Sequence, residues 1–178
     1  MNFTLLGKEK HYHGHAFDVA KVHAKLPNGK ERDYDLVQHA DSIAIVPVDQ
    51  AGRIHFVSQY RIGAESELLE LPAGVMEAGE TPLECAEREI REEIGLAAEE
   101  MQPLGGFYLA AGYANEFMTV FLARGLYNAP LDPDADEFLN VKTFTIDEVY
   151  KMARTGKLED SKSLAALLLA ERFLFPAE

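Results

Sequence analysis

Three glutamates near the middle of the chain have a spacing that could form a metal site. Glu89, Glu92 and Glu93 stand at positions i, i+3 and i+4. On an α-helix these positions share about 100° of the circumference, so the three carboxylates would lie side by side. Their mutual repulsion destabilises a helix unless a cation neutralises it. Clusters made only of carboxylates suit Mg²⁺ or Mn²⁺, so the spacing indicates a site for one of these ions.

The same stretch could instead be a solvated acidic helix face, because Glu84–Arg88 and Glu87–Arg91 are spaced for surface ion pairs. The wider pattern argues against that interpretation. From Gly74 onward the chain reads G-x5-E-x7-R-E-U-x-E-E-x-G-U, where U is a bulky aliphatic residue, and every fixed position is filled. Ordinary residue frequencies would produce such a match by chance on the order of once in a million chains or less.

Local signals predict the helix that would carry these glutamates. Thr81 is a suitable N-cap, Pro82 suits the first helical position, and Glu84 completes a capping box. Gly95 predicts the end of the helix. The apolar stripe expected to face a core comprises Leu83, Ala86, Ile90 and Ile94.

The other elements are a mixture of strands and helices. Residues 1–38 read as short strands with a turn at Pro27-Asn28-Gly29-Lys30. Residues 42–48 and 54–60 predict two strands joined as a hairpin. Further strands are predicted at 68–71, within 105–123 and at 141–145, and helices at 147–155 and 163–174. This irregular order predicts an α+β fold or a layered α/β/α sandwich rather than a doubly wound parallel sheet.

Composition narrows the class of protein. The formal net charge of −13 over 178 residues disfavours a nucleic-acid partner, although bound cations would still allow a small anionic substrate. A single cysteine, Cys85, allows no internal disulfide. The first 17 residues lack the apolar region of a signal peptide, and no apolar run is long enough to cross a membrane. We therefore expect a soluble, cytoplasmic protein without a membrane partner.

The pattern from Gly74 to Leu96 resembles the Nudix box. Flanking motifs resemble the ADP-ribose pyrophosphatase branch of that family, so that the similarity covers about residues 40–172. These motifs are Gln59-Tyr60-Arg61, Leu69-Glu70-Leu71-Pro72-Ala73-Gly74, Gly112-Tyr113-Ala114-Asn115-Glu116 and Gly156-Lys157-Leu158-Glu159-Asp160. The resemblance implies an α+β Nudix α/β/α sandwich with a mixed sheet at residues 39–178. It also implies a homodimer, with a small β extension at residues 1–38 in the dimer interface.

The resemblance also implies roles for individual residues. The principal ligands of Mg²⁺, or of Mn²⁺, would be Glu89 and Glu93, and the carbonyl of Ala73 would be another. Glu92 would contribute to the metal or to a bound water. Arg88 would orient these carboxylates, and Glu80 would support the loop or an outer metal ion. The residues expected to line the substrate pocket are Arg61, Glu70 and Gly112. The general base would be Glu137 in the acidic loop, with Glu116 as the second candidate.

At two positions the sequence differs from the ADP-ribose pyrophosphatase branch, which leaves open the identity of the substrate and of the general base. Ala111 stands where relatives usually carry a proline associated with ADP-ribose specificity, and Ala135 stands where they often carry a glutamate. The expected reaction converts ADP-ribose or another nucleoside diphosphate sugar to a nucleoside monophosphate and a sugar phosphate. The alternatives are a pyrophosphatase for GDP-mannose, a dinucleotide or NADH, and a non-catalytic Nudix ligand sensor.

Three other features have simpler interpretations. His11, His13 and His15 alternate as in a metal clip, but we interpret them as exposed polar positions on an N-terminal strand. Cys85 has no His or Asp relay nearby in sequence, so a packing position is expected. Phe107, Tyr108 and Tyr113 could stack on a nucleobase, although aromatic residues in strands more often belong to the core.

Overall fold

The computed structural model describes residues 2–132 and 138–175, which form two compact units. The first unit extends to Asp41 and also includes Phe107–Met118. The second comprises Ser42–Gly106 and the residues from Thr119 onward. Because the first unit includes a segment from the middle of the chain, it is larger than the extension proposed for residues 1–38, and that boundary stays a prediction.

The first unit is built on an antiparallel sheet in the order β1-β2-β3. These strands are β1 (Thr4–His13), β2 (Asp18–Lys25) and β3 (Glu31–Gln38). The predicted turn is confirmed, because the amide of Leu26 donates to the carbonyl of Lys30 at 2.7 Å. Gly29 has φ of 82°, which a residue with a side chain rarely adopts. β1 lies at the edge of the sheet and is exposed along its whole length.

Seven further strands follow in the part of the chain that the structure describes; the end of β8 and the start of β9 belong to the first unit. They are β4 (Ser42–Pro47), β5 (Arg53–Arg61), β6 (Ser66–Glu70), β7 (Ala73–Val75), β8 (Leu96–Tyr108), β9 (Phe117–Asn128) and β10 (Asn140–Thr145). They form a four-stranded sheet in the order β7-β4-β9-β8 and a three-stranded sheet in the order β10-β5-β6. All six residues of β4 are buried.

The predicted hairpin of residues 42–48 and 54–60 is confirmed only at its turn, where the amide of Asp49 donates to the carbonyl of Arg53 at 2.9 Å and the amide of Gly52 donates to the carbonyl of Asp49 at 3.0 Å. Only a single bridge, between Val48 and Ile54, joins the two stretches. β4 already pairs with β7 and β9 on its two edges, and β5 pairs with β6 and β10. Each strand therefore belongs to a different sheet.

Among its described residues, the second unit also contains three helices: α1 (Pro82–Ile94), α2 (Ile146–Arg154) and α3 (Ser161–Leu174). α1 packs on β4 and β7, α2 packs on β5 and β10, and α3 packs on β4. In the described part of the chain, no helix is both long enough and apolar enough to span a bilayer.

The start and end of α1 agree with the prediction, but its buried face differs. Thr81 and Glu84 form the capping box, and Gly95 ends the helix with φ of 71°. Leu83, expected in the core, is 42% exposed, whereas Cys85 is fully buried. The buried residues of α1 are Cys85, Ala86, Glu89, Ile90 and Glu93. The buried face is therefore rotated toward two of the glutamates, which consequently lie inside the protein rather than on a solvated face.

Candidate active site

Arg88 is the centre of a carboxylate cluster on α1. Its Nε and Nη2 donate to the two oxygens of Glu80, each at 3.0 Å. Its Nη1 donates to Glu89 at 2.7 Å and to Glu92 at 2.8 Å. Nη2 also reaches the carbonyl of Val75 at 3.2 Å. A guanidinium has five N–H groups, so these contacts occupy Arg88 and leave it to orient the carboxylates.

The electrostatics of the cluster follow from this arrangement. Hydrogen bonds from Arg88 lower the pKa of Glu80 from 4.5 to about 2, so the glutamate remains ionised at any ordinary pH. Burial raises the pKa of the Cys85 thiol to about 12. Because only a thiolate is an effective nucleophile, Cys85 is a packing residue of α1.

Glu89 lies against the backbone of Gly74 at the start of the Nudix-like pattern. A Cβ atom placed on Gly74 would fall 1.8 Å from Oε1 of Glu89, an impossible contact. Any larger residue at position 74 would therefore displace this carboxylate. The glycine is required because it lets a glutamate side chain approach the β7 backbone closely.

Glu93 links α1 to β7, the strand that contains Gly74. Its carboxylate accepts a hydrogen bond from the amide of Ala73 at 3.0 Å. Glu93 is 6% exposed and Glu89 is 8% exposed, so α1 carries two largely buried carboxylates beside residues 73 and 74. The structure thus brings together Ala73, Glu89, Glu92 and Glu93, all of which were predicted from the sequence as metal ligands.

A second charged group lies around Glu70 at the end of β6. Arg61, at the end of β5, makes a bidentate ion pair with Glu70, with N···O distances of 2.8 and 2.6 Å. Burial alone would raise the pKa of Glu70, but the contacts with Arg61 and Lys162 outweigh that effect and hold it below its usual value. Arg61 and Glu70, both predicted as pocket residues, are therefore in direct contact.

The start of α3 contributes residues to this group that sequence reasoning missed. Lys162 Nζ lies 2.5 Å from Glu70 and 3.0 Å from Asp160. Asp160 caps α3 and accepts from the amide and hydroxyl of Ser163, whose hydroxyl in turn accepts from the amide of Leu71 at 2.8 Å. The only hint in the sequence was the Gly156–Asp160 motif, which ends just before Lys162.

Gly112, Glu116 and Glu137 complete the set of site residues predicted from the sequence. Gly112 and Glu116 belong to the first unit, where Glu116 lies 3.6 Å from Nδ1 of His39. Gly112 lines an apolar groove of about 640 Å³ in that unit, together with Ala111 and Tyr113. Glu137, the first candidate for the general base, and Ala135 lie outside the described residues.

The comparison with known families agrees with this geometry. The NUDIX domain model matches residues 38–167. The chain belongs to the NUDIX family, which confirms the recognition made from the pattern between Gly74 and Leu96.

Individual relatives cover nearly the whole chain. An ADP-ribose pyrophosphatase of Bacillus subtilis (strain 168) is 33% identical over 164 residues, which are 91% of this chain and 89% of that protein. A methanol dehydrogenase activator of Bacillus methanolicus is 31% identical over 161 residues, 89% of this chain and 87% of that one. The crystal structure of an ADP compounds hydrolase superimposes with a TM-score of 0.86 at 24% identity, covering 98% and 95% of the two chains. The α+β Nudix fold is thereby confirmed.

Proposed function

We propose that this Nudix protein hydrolyses the pyrophosphate bond of ADP-ribose or a closely related nucleoside diphosphate sugar. The observation that carries the proposal is the pair of largely buried carboxylates, Glu89 and Glu93, held beside Gly74 and Ala73. The name of the Bacillus subtilis relative supports ADP-ribose as the substrate. The products would be AMP and ribose 5-phosphate.

The donor set fits a hard divalent cation. Glu89, Glu92 and Glu93 offer only oxygen ligands, and the missing Cβ of Gly74 leaves room for Glu89 beside the strand. Among the described residues, no three acidic, histidine or cysteine side chains already form a closed metal-binding group. We therefore propose that Mg²⁺ or Mn²⁺ is held by these three glutamates and the Ala73 carbonyl, while Arg88 keeps the carboxylates close together.

Each group in the proposed site has a separate role in the hydrolysis. Mg²⁺, when bound by these residues, would neutralise phosphate charge and lower the pKa of a bound water. Arg61, fixed by Glu70, binds the anionic diphosphate through the N–H groups that Glu70 does not use. Glu137, or Glu116 as the second candidate, accepts the proton of the attacking water.

The first unit supports a homodimer as part of the proposal. Phe3, Leu5 and Leu6 are exposed on or next to β1, at 57%, 74% and 47%. An exposed edge strand with apolar side chains is a template for pairing with another chain. We propose that a second copy covers β1, and light scattering coupled to gel filtration tests this directly.

The function is tested by hydrolysis of ADP-ribose and GDP-mannose side by side, with about 5 mM Mg²⁺ to saturate weak carboxylate sites and with EDTA. Release of AMP that requires the metal is the expected result. Turnover of GDP-mannose alone would keep the metal site but reassign the substrate, and would show that Ala111 marks a change of specificity. Binding of ADP-ribose without turnover of either substrate in Mg²⁺ would contradict an enzymatic role and favour a ligand sensor.

A further inference from the structure

Lys162, at the start of α3, contacts Glu70 but has no role in the proposed reaction. Glu70 is only 1% exposed, and its Oε2 accepts from both Arg61 and Lys162. Burial of a carboxylate with two cationic partners costs less than burial with one, because the charges and hydrogen bonds of both partners replace water. Lys162 is itself held by Asp160, so that its ammonium group is fixed between two carboxylates.

Arg61 is the most exposed member of the ion-pair network that links Asp160, Lys162, Glu70 and Arg61. It uses Nε and one N–H of Nη2 for Glu70, which leaves three N–H groups. Among the described residues, none accepts a hydrogen bond from these three groups. The side chain of Arg61 is 42% exposed. The negative charges of Glu93 and Asp160 add to that of Glu70 in raising the pKa of Arg61. Arg61 therefore lies within electrostatic range of the carboxylate cluster.

The start of α3 also fixes the backbone that follows Glu70. The hydroxyl of Ser163 accepts from the amide of Leu71 at 2.8 Å, and Ala73 is bonded to Glu93 two residues later. The segment from Glu70 to Ala73 is thus attached to α3 at one end and to α1 at the other. A displacement of Lys162 would be transmitted to Arg61 through a single carboxylate.

We propose that Lys162 is a positioning residue: by holding the same carboxylate oxygen of Glu70 that Arg61 contacts, it orients Arg61 so that the remaining N–H groups of Arg61 meet the pyrophosphate of the substrate. This inference rests on the proposed function. Arg61 would otherwise have to fix Glu70 alone, and its guanidinium would follow the movements of that carboxylate.

The test compares K162M, which removes the charge and the donor, with K162R, which restores both. K157M is the matched control, since Lys157 is an exposed lysine just before α3. In ADP-ribose hydrolysis, K162M should raise KM about tenfold while changing kcat much less, because positioning for binding is lost. K162R should recover most of the loss, and K157M should resemble the wild type.

The double variant R61M/K162M separates positioning from a merely structural role. If Lys162 acts through Arg61, K162M adds little to the KM increase that R61M already causes. Multiplicative effects of the two substitutions, or a KM of K162M equal to that of the wild type, would overturn the inference while the hydrolase function stands. Should K162M fail to fold, K162Q, which keeps an N–H donor without the charge, replaces it in the same comparison.

Calorimetric binding of inorganic pyrophosphate in EDTA keeps the inference testable if the wild type does not hydrolyse ADP-ribose. In that case the proposed function fails, but about tenfold weaker pyrophosphate binding by K162M than by K162R or K157M still supports the positioning role. Equal binding by all variants, or no binding by the wild type, would overturn it.

Discussion

The second unit contains two charged groups of opposite construction. In the first, one cation, Arg88, is surrounded by the carboxylates of Glu80, Glu89 and Glu92. In the second, one carboxylate, Glu70, is surrounded by Arg61 and Lys162. The first group has an excess of negative charge and the second, even with Asp160, does not.

Under the proposed function, this difference would let one protein bind both a divalent cation and a polyanion. A surplus of carboxylates attracts a cation, while a guanidinium with free N–H groups attracts phosphate oxygens. Arg88 has no donors left for a ligand, whereas Arg61 has three. Although both arginines are paired with glutamates, the hydrogen bonds of the described residues leave donors for a substrate on Arg61 and not on Arg88.

The largest effect should come from removing charge in the first group. E93Q and E89Q should each lower kcat for ADP-ribose by about 10³-fold while the far-ultraviolet circular dichroism stays unchanged, because an amide is a poor ligand for a hard cation. E87Q is the control because Glu87 is an exposed glutamate of the same helix, and it should keep a normal kcat. Near-normal rates for both E89Q and E93Q would show that the metal site has been misassigned.

A smaller effect should follow when Arg88 loses its planar donors. R88K keeps the charge but cannot hold Glu80 on one side and Glu89 with Glu92 on the other. We expect kcat to fall by about 100-fold, since the carboxylates lose their common partner. R91K makes the same chemical change at an arginine that bonds the Ala129 carbonyl, and should leave kcat nearly unchanged. Equal kcat for R88K and the wild type would mean that Arg88 does not position the ligands.

The smallest effect is the pH dependence of stability that Glu80 contributes. The pKa of Glu80 is lowered from 4.5 to about 2 in the folded protein, so its contribution is complete above pH 4.5 and is lost as the pH falls toward 2. The melting temperature should therefore fall less steeply between these pH values in E80Q than in the wild type. Identical slopes for the two proteins would contradict a strong Arg88–Glu80 pair.

Local patterns predicted the first group better than the second. Glu89, Glu92 and Glu93 share a helix, so their spacing alone placed them together, and Thr81, Glu84 and Gly95 marked where that helix begins and ends. The ion pair of Lys162 with Glu70 spans 92 residues, a separation that no local pattern can reveal. The nine-residue separation of Arg61 and Glu70 was accessible only through the resemblance to the family.

The errors have a common physical cause. Leu83 fits the apolar periodicity of α1, but the approach of Glu89 to Gly74 rotates the buried face toward Cys85 and the acidic residues. Likewise, residues 42–60 have the pattern of a hairpin, but β4 finds partners on both edges within another sheet. In each case tertiary packing overrides the local preference.

The most direct test of the central claim is the binding of Mn²⁺, a spectroscopically visible hard cation, followed by electron paramagnetic resonance in the absence of substrate. The affinity of Mn²⁺ would be measured for the wild type, for E93Q and for E87Q. The carboxylate cluster predicts binding to the wild type and to E87Q, with affinity at least about tenfold weaker for E93Q. Equal affinity in all three proteins would contradict the assignment of Glu93, and with it the metal site on which the proposed hydrolysis depends.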